Sequence, residues 1–160
     1  MKGFSIILNM NKNPMIAVGL MLLLSAPAYA ANECLAPDEK AAFNARVLQT
    51  ELMEAALSCE EHKSRYNAFV KKYKKQLAEQ SAAFRNYFKK KYGSLADSKL
   101  NHFVTKLAND VSGLNITKQN RGFCRYTGSK FDKLERVSPE DFAKFSSGEN
   151  SEVIYEAPCK

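Results

Sequence analysis

Residues 37–57 read PDEKAAFNARVLQTELMEAAL, and this stretch decides the fold. Pro37 stands where a helix begins, and Asp38 and Glu39 suit the positive end of the helix dipole. From Ala41 to Leu57 there is no glycine or proline, and strong helix formers dominate. Ala41, Ala45, Leu48, Leu52, Ala55, Ala56 and Cys59 fall on one face, and Phe43, Val47, Met53 and Leu57 form a second stripe. Charged Arg46, Glu51 and Glu54 lie at the edges between them. A helix that is apolar on two sides has neighbours on both, so this one is expected at the centre of an all-α fold.

An unbroken helix from Asp38 to Tyr92 would be about 80 Å long, too long for one compact domain, so a break is expected near Ser58–Ser64. The second helical stretch carries Tyr66, Phe69, Val70, Tyr73, Leu77, Phe84 and Phe88 at three- and four-residue steps. It either runs straight or kinks near Gln80-Ser81, and Gly93 ends it. A third helix opens near Ala96–Ser98, with Leu100, Phe103, Val104, Leu107 and Val111 on one face and Gly113 at its close. Gly113, Gly122, Gly128 and Gly148 then arrive among polar residues, which predicts a looser C-terminal section. Within it, Ser138-Pro139-Glu140-Asp141 reads as an N-cap and first turn leading to a short helix with Phe142 and Phe145. Val153-Ile154-Tyr155 reads as a short extended piece. The expectation is a three-helix core with a looser, disulfide-tethered C-terminal section containing one short helix.

The N-terminal residues predict export. Lys2 and Lys12 supply a positive region, residues 16–24 an apolar run, and Ala28 and Ala30 a small-x-small cleavage signal. Residues 1–30 therefore read as a signal peptide cut after Ala30, with residues 31–160 as one domain. Met10 would serve equally as a start. The apolar run falls short of the roughly 20 residues that span a bilayer, so the cleaved chain is not expected to cross a membrane. Ala31-Asn32-Glu33 before Cys34 does not fit a lipoprotein site. The expected location is the periplasm or the outside medium.

Cys34, Cys59, Cys124 and Cys159 are an even set, which in an exported chain reads as a disulfide framework. Cys34 and Cys59 flank the first helix at some 30 Å, whereas a bridge needs α-carbons within about 7 Å, so that pairing fails. Cys59–Cys124 with Cys34–Cys159 is favoured, and Cys34–Cys124 with Cys59–Cys159 stays open. There is no C-x-x-C, and the spacings suit neither a zinc site nor a catalytic dithiol. No cofactor or metal is indicated.

The net charge is +7, and removing Lys2 and Lys12 with the leader leaves +5. Lys71-Lys72-Tyr73-Lys74-Lys75 and Lys89-Lys90-Lys91 concentrate that charge on the second stretch. Lysines there either form a solvated face or contact an anionic surface: lipid headgroups, lipopolysaccharide phosphates or an acidic envelope protein. Nucleic acid fits least, because no recognition motif is present.

His62, among Glu60, Glu61 and Lys63, reads as part of a solvated turn. His102 lies one step off the apolar stripe of the third helix. Neither has a serine elbow or a carboxylate partner in the sequence. The leading expectation is thus a non-enzymatic binding or structural module of the cell envelope. Two alternatives are a cell-wall-acting enzyme using Glu51, Glu54, Glu60 or Glu61 as acid, and a small-ligand carrier. The carrier needs a cavity between the first helix and Tyr66, Phe69 and Tyr73.

Residues 47–53 (VLQTELM) and 55–59 (AALSC), then 65–70 (RYNAFV), 103–109 (FVTKLAN) and 123–124 (FC) together resemble a group of small exported four-cysteine helical proteins of alphaproteobacteria. The resemblance covers roughly residues 41–124. It implies a helical, exported and disulfide-linked chain, and it fits a Cys59–Cys124 bridge. It brings neither an activity nor site residues.

Overall fold

The computed structural model describes residues 35–149 and 151–153, all within one compact unit, Asn32–Lys160. The predicted signal peptide, Cys34, Cys159 and the Ile154-Tyr155 piece lie outside the described residues. Among the described residues there is no strand. The elements are α1 (Pro37–Ser58), a 3-10 turn (Glu60–His62), α2 (Lys63–Lys72), α3 (Lys74–Tyr92), a second 3-10 turn (Gly93–Leu95), α4 (Ala96–Thr117), α5 (Arg121–Arg136) and α6 (Phe142–Gly148).

Helix α1 is central, as its two stripes require: it touches all five other helices. Its first turn is closed by Glu39, whose Oε2 accepts from the Ala36 N–H at 3.0 Å. Its N-terminal half packs Ala42 and Phe43 against Phe84, Tyr87 and Phe88 of α3, with Phe103 of α4 joining. The Phe43 ring meets those of Phe84 and Tyr87 edge-on, each at 4.9 Å. Its C-terminal half packs Leu48, Leu52 and Ala55 into a second cluster with Phe69, Tyr73, Phe123, Phe131 and Phe142. The second stripe is not buried throughout. Met53 and Leu57 end it exposed, because no described element covers that side.

The second stretch is interrupted at Tyr73, not at Gln80-Ser81, which stay helical within α3. The cause is tertiary. Tyr73 is fully buried, and its hydroxyl donates to the carbonyls of Leu134 (2.7 Å) and Val137 (2.8 Å), at the C-terminal end of α5. Those oxygens lack intrahelical partners, so Tyr73 acts as their cap. Burial pushes the Tyr73 phenol above its usual value, which keeps the donor protonated. Tyr73→Phe is expected to cost roughly 1–2 kcal/mol by removing the donor to the Val137 carbonyl and leaving Leu134 with Lys72 alone, measured by urea unfolding at neutral pH. A cost near zero would mean that Lys72 and water satisfy the two carbonyls without the hydroxyl.

Gly93 closes α3 with φ +52°, a backbone conformation that a side chain would strain, and its N–H bonds the Lys89 carbonyl. Helix α4 opens at Ala96 as expected but continues past Gly113 to Thr117, because Gly113 is exposed and its helical backbone is not crowded. The section after α4 is more ordered than its glycines imply. Helix α5 buries Phe123, Thr127, Lys130, Phe131 and Leu134 along one face. Ser138–Asp141 is a turn closed by Ser138 Oγ and Asp141, so the short helix α6 starts at Phe142.

The Cys59–Cys124 bridge joins the end of α1 to α5, with α-carbons 5.8 Å apart. It tethers the C-terminal section to the core.

Candidate functional site

The basic runs sit on α2 and α3. Over residues 63–92, ten side chains are Lys or Arg, and Glu79 is the one acid. The two helices sort these charges into separate roles.

Lys72 is tied down. Its ammonium donates to the carbonyls of Leu134 (3.0 Å) and Glu135 (2.9 Å), so with Tyr73 it caps the negative end of α5. Lys91 lies on the inner flank of α3 and donates to the Tyr87 hydroxyl at 2.8 Å. Arg65, earlier in α2, is held by Asp132 (2.6 Å) and Glu135 (2.7 Å) of α5.

The remaining lysines face outward. Lys74, Lys75, Arg85, Lys89 and Lys90 are all exposed, and at 100° per residue they fall within about half the circumference of α3. The face runs about 24 Å from Lys74 to Lys90. Exposed Ala78 and Ala82 lie between the charges, so the middle of the face is low. Lys75 has only a loose contact with Glu79, at 3.9 Å. Lys71, Lys74, Lys89 and Lys90 make no hydrogen bond or ion pair with a described residue. Arg46, half-buried over the Phe84 ring at 5.5 Å, is pushed below its usual value first by burial and then by the like charge of Arg85. Positive charge thus outweighs negative on this side of the molecule.

The glutamates go to different places. Glu51 is fully buried; its Oε2 accepts from Lys130 Nζ at 2.7 Å and its Oε1 from Tyr126 Oη (3.1 Å) and Ser151 Oγ (2.7 Å). Burial alone would lower Lys130, but Glu51 and Tyr126 outweigh it and hold the ammonium above the usual lysine value. The Tyr126 phenol is raised, first by burial and then by Glu51. A cleft of about 330 Å³ reaches this pair beside Asn44, Ser147 and Glu149. Both Glu51 oxygens are already engaged there. Glu54 instead accepts from Asn115 of α4 at 3.1 Å. Glu60 and Glu61 are exposed on the 3-10 turn. Adjacent acids in the sequence are therefore not assembled into a pair.

His62 is buried, not solvated. Its Nε2 donates to the Cys124 carbonyl at 2.8 Å, and its ring lies 5.2 Å from that of Phe131. The 3-10 turn folds it under α5, where Gly128 leaves room for the ring. His102 is exposed on α4. The space between α1 and α3 is filled: the gap lined by Ala45, Gln49, Leu77 and Phe84 holds about 10 Å³. Phe69 and Tyr73 occupy the core between α1 and α6, with Tyr66 packed at its edge. An open groove of about 340 Å³ lies elsewhere, between α2 and α5, over Phe69 and Phe131.

No family model, no curated protein and no solved structure matches the chain. No described helix is long and apolar enough to cross a membrane.

Proposed function

We propose that this protein is an exported, non-enzymatic binding module of the cell envelope that docks an anionic surface with the outer face of α3. The observation that carries this reading is the partition of the lysines. Lys72 and Lys91, though exposed, have their ammonium groups engaged within the molecule. Lys74, Lys89 and Lys90, with Arg85, stay exposed on one side of one helix. Packing against α1 and α4 already confines the exposed residues of α3 to one side, so the telling feature is their sign: a merely solvated face would be better served by mixed charges, and this one has Glu79 as its one acid. Export is supported by the leader composition and by the Cys59–Cys124 bridge, which suits an oxidising compartment. The enzyme alternative is weakened by Glu51, whose two carboxylate oxygens are both engaged, by Lys130 and by Tyr126 and Ser151.

The test is cosedimentation with isolated envelopes. Lys74→Glu/Lys89→Glu/Lys90→Glu is expected to lower association at least tenfold, since a lysine near an anionic surface contributes about 1 kcal/mol. Arg121→Glu/Arg125→Glu/Lys144→Glu, a charge-matched triple at exposed positions on α5 and α6, should change it little. Equal loss in both variants would reduce the effect to net charge, and no loss in either would end the proposal.

A further inference from the structure

Four large apolar side chains are exposed among the described residues: Met53, Leu57, Leu95 and Ile116. Met53, Leu57 and Ile116 belong to the ends of α1 and α4, where Glu54 meets Asn115. Leu95 stands elsewhere. It is 58% exposed in the turn between α3 and α4, and its neighbours Gly93 and Ser94 are exposed with it. The turn continues the basic face of α3: residues 89–99 hold Lys89, Lys90, Lys91 and Lys99 against the single acid Asp97.

The tip is built on a firm base. Phe88 is buried in the aromatic cluster and Tyr92 packs beside it. The ammonium groups of Lys91 and Lys99 approach the Tyr92 ring at 5.8 and 5.9 Å. Gly93 permits the backbone reversal that presents Ser94 and Leu95 outward.

We infer that the α3–α4 tip is a shallow anchor for an anionic lipid bilayer: Leu95 enters the boundary between headgroups and acyl chains while Lys89, Lys90 and Lys99 meet the lipid phosphates. This rests on the reading of the α3 face as an anion-docking surface and narrows the partner to lipid. Charge complementarity selects an anionic partner. The exposed leucine at the end of the lysine row favours lipid over an acidic polysaccharide or phosphate polymer, neither of which offers an apolar phase to receive it. A tyrosine beside lysines is the usual composition of an interfacial contact.

The chain lacks tryptophan, so Leu95→Trp places a lone reporter at the tip. With vesicles of phosphatidylcholine and about one-third phosphatidylglycerol, its emission is expected to shift to the blue, and brominated lipid to quench it. Leu95→Ser should weaken vesicle binding roughly fivefold and leave binding to soluble inorganic polyphosphate unchanged. No blue shift, together with unchanged vesicle binding by Leu95→Ser, would overturn the lipid anchor. The docking face would still stand if Lys89→Glu/Lys90→Glu lost polyphosphate. If that lysine variant kept both polyphosphate and vesicle binding, the docking face and the anchor would fall together.

Discussion

Lys130→Met is expected to destabilise the protein by about 3–5 kcal/mol, a fall in Tm on the order of 10–20 °C. The substitution preserves most of the side chain's bulk but leaves the Glu51 carboxylate fully buried without its ammonium. Tyr126 and Ser151 supply hydrogen bonds but no charge. The double variant Glu51→Leu/Lys130→Met should recover most of the loss, because an apolar pair carries no desolvation penalty. Equal instability of single and double variants would mean that packing, not charge, sets the cost. The same pair predicts an alkaline limit. Lys130 is held above its usual value in the folded state, so its contribution is complete below about pH 10.5 and is lost as pH rises through the higher folded value. The raised Tyr126 phenol acts in the same direction. Stability measured from pH 8 to 12 should fall less steeply in the double variant than in the wild type.

The second large effect belongs to the disulfide. Cys59 and Cys124 are separated by 65 positions, and opening a loop of that length is expected to cost about 4 kcal/mol. Cys59→Ala/Cys124→Ala should therefore unfold at much lower urea concentration than the oxidised parent. Amide exchange should rise first near the start of α5, because its far end keeps the Tyr73 and Lys72 caps. A loss below about 1 kcal/mol would show that those caps and the Glu51–Lys130 pair hold α5 alone.

The parts of this fold that sequence alone revealed are those whose signals are local. Pro37 and the two stripes mark α1, and Gly93 marks the end of α3. Helix α5 was hidden because two of its five inward positions are polar. Phe123, Thr127, Lys130, Phe131 and Leu134 have correct helical spacing, but Thr127 and Lys130 break the apolar pattern, and Gly122 and Gly128 imitate a loop. Lys130 goes inside only because Glu51 waits on a helix 79 residues away. The interruption at Tyr73 has the same origin. No glycine or proline marks it, and its cause is a set of carbonyls on α5.

The candidate site was legible as a cluster but not as a face. Seven lysines, Lys71, Lys72, Lys74, Lys75, Lys89, Lys90 and Lys91, look alike in the sequence. The fold turns Lys72 toward α5 and Lys91 toward Tyr87. Arg85 joins the outer set by helical spacing, a signal that was present between the two lysine runs. The charged neighbours of His62 imply solvent, while the turn that buries it depends on α5 packing above.

The most direct test of the docking face is the salt dependence of binding to inorganic polyphosphate. The slope of log affinity against log salt concentration counts the cations engaged. The wild type is predicted to show a steep slope, and Lys74→Glu/Lys89→Glu/Lys90→Glu one shallower by roughly 2–3. Identical slopes would mean that the outer face of α3 does not meet the anion, and would contradict the account.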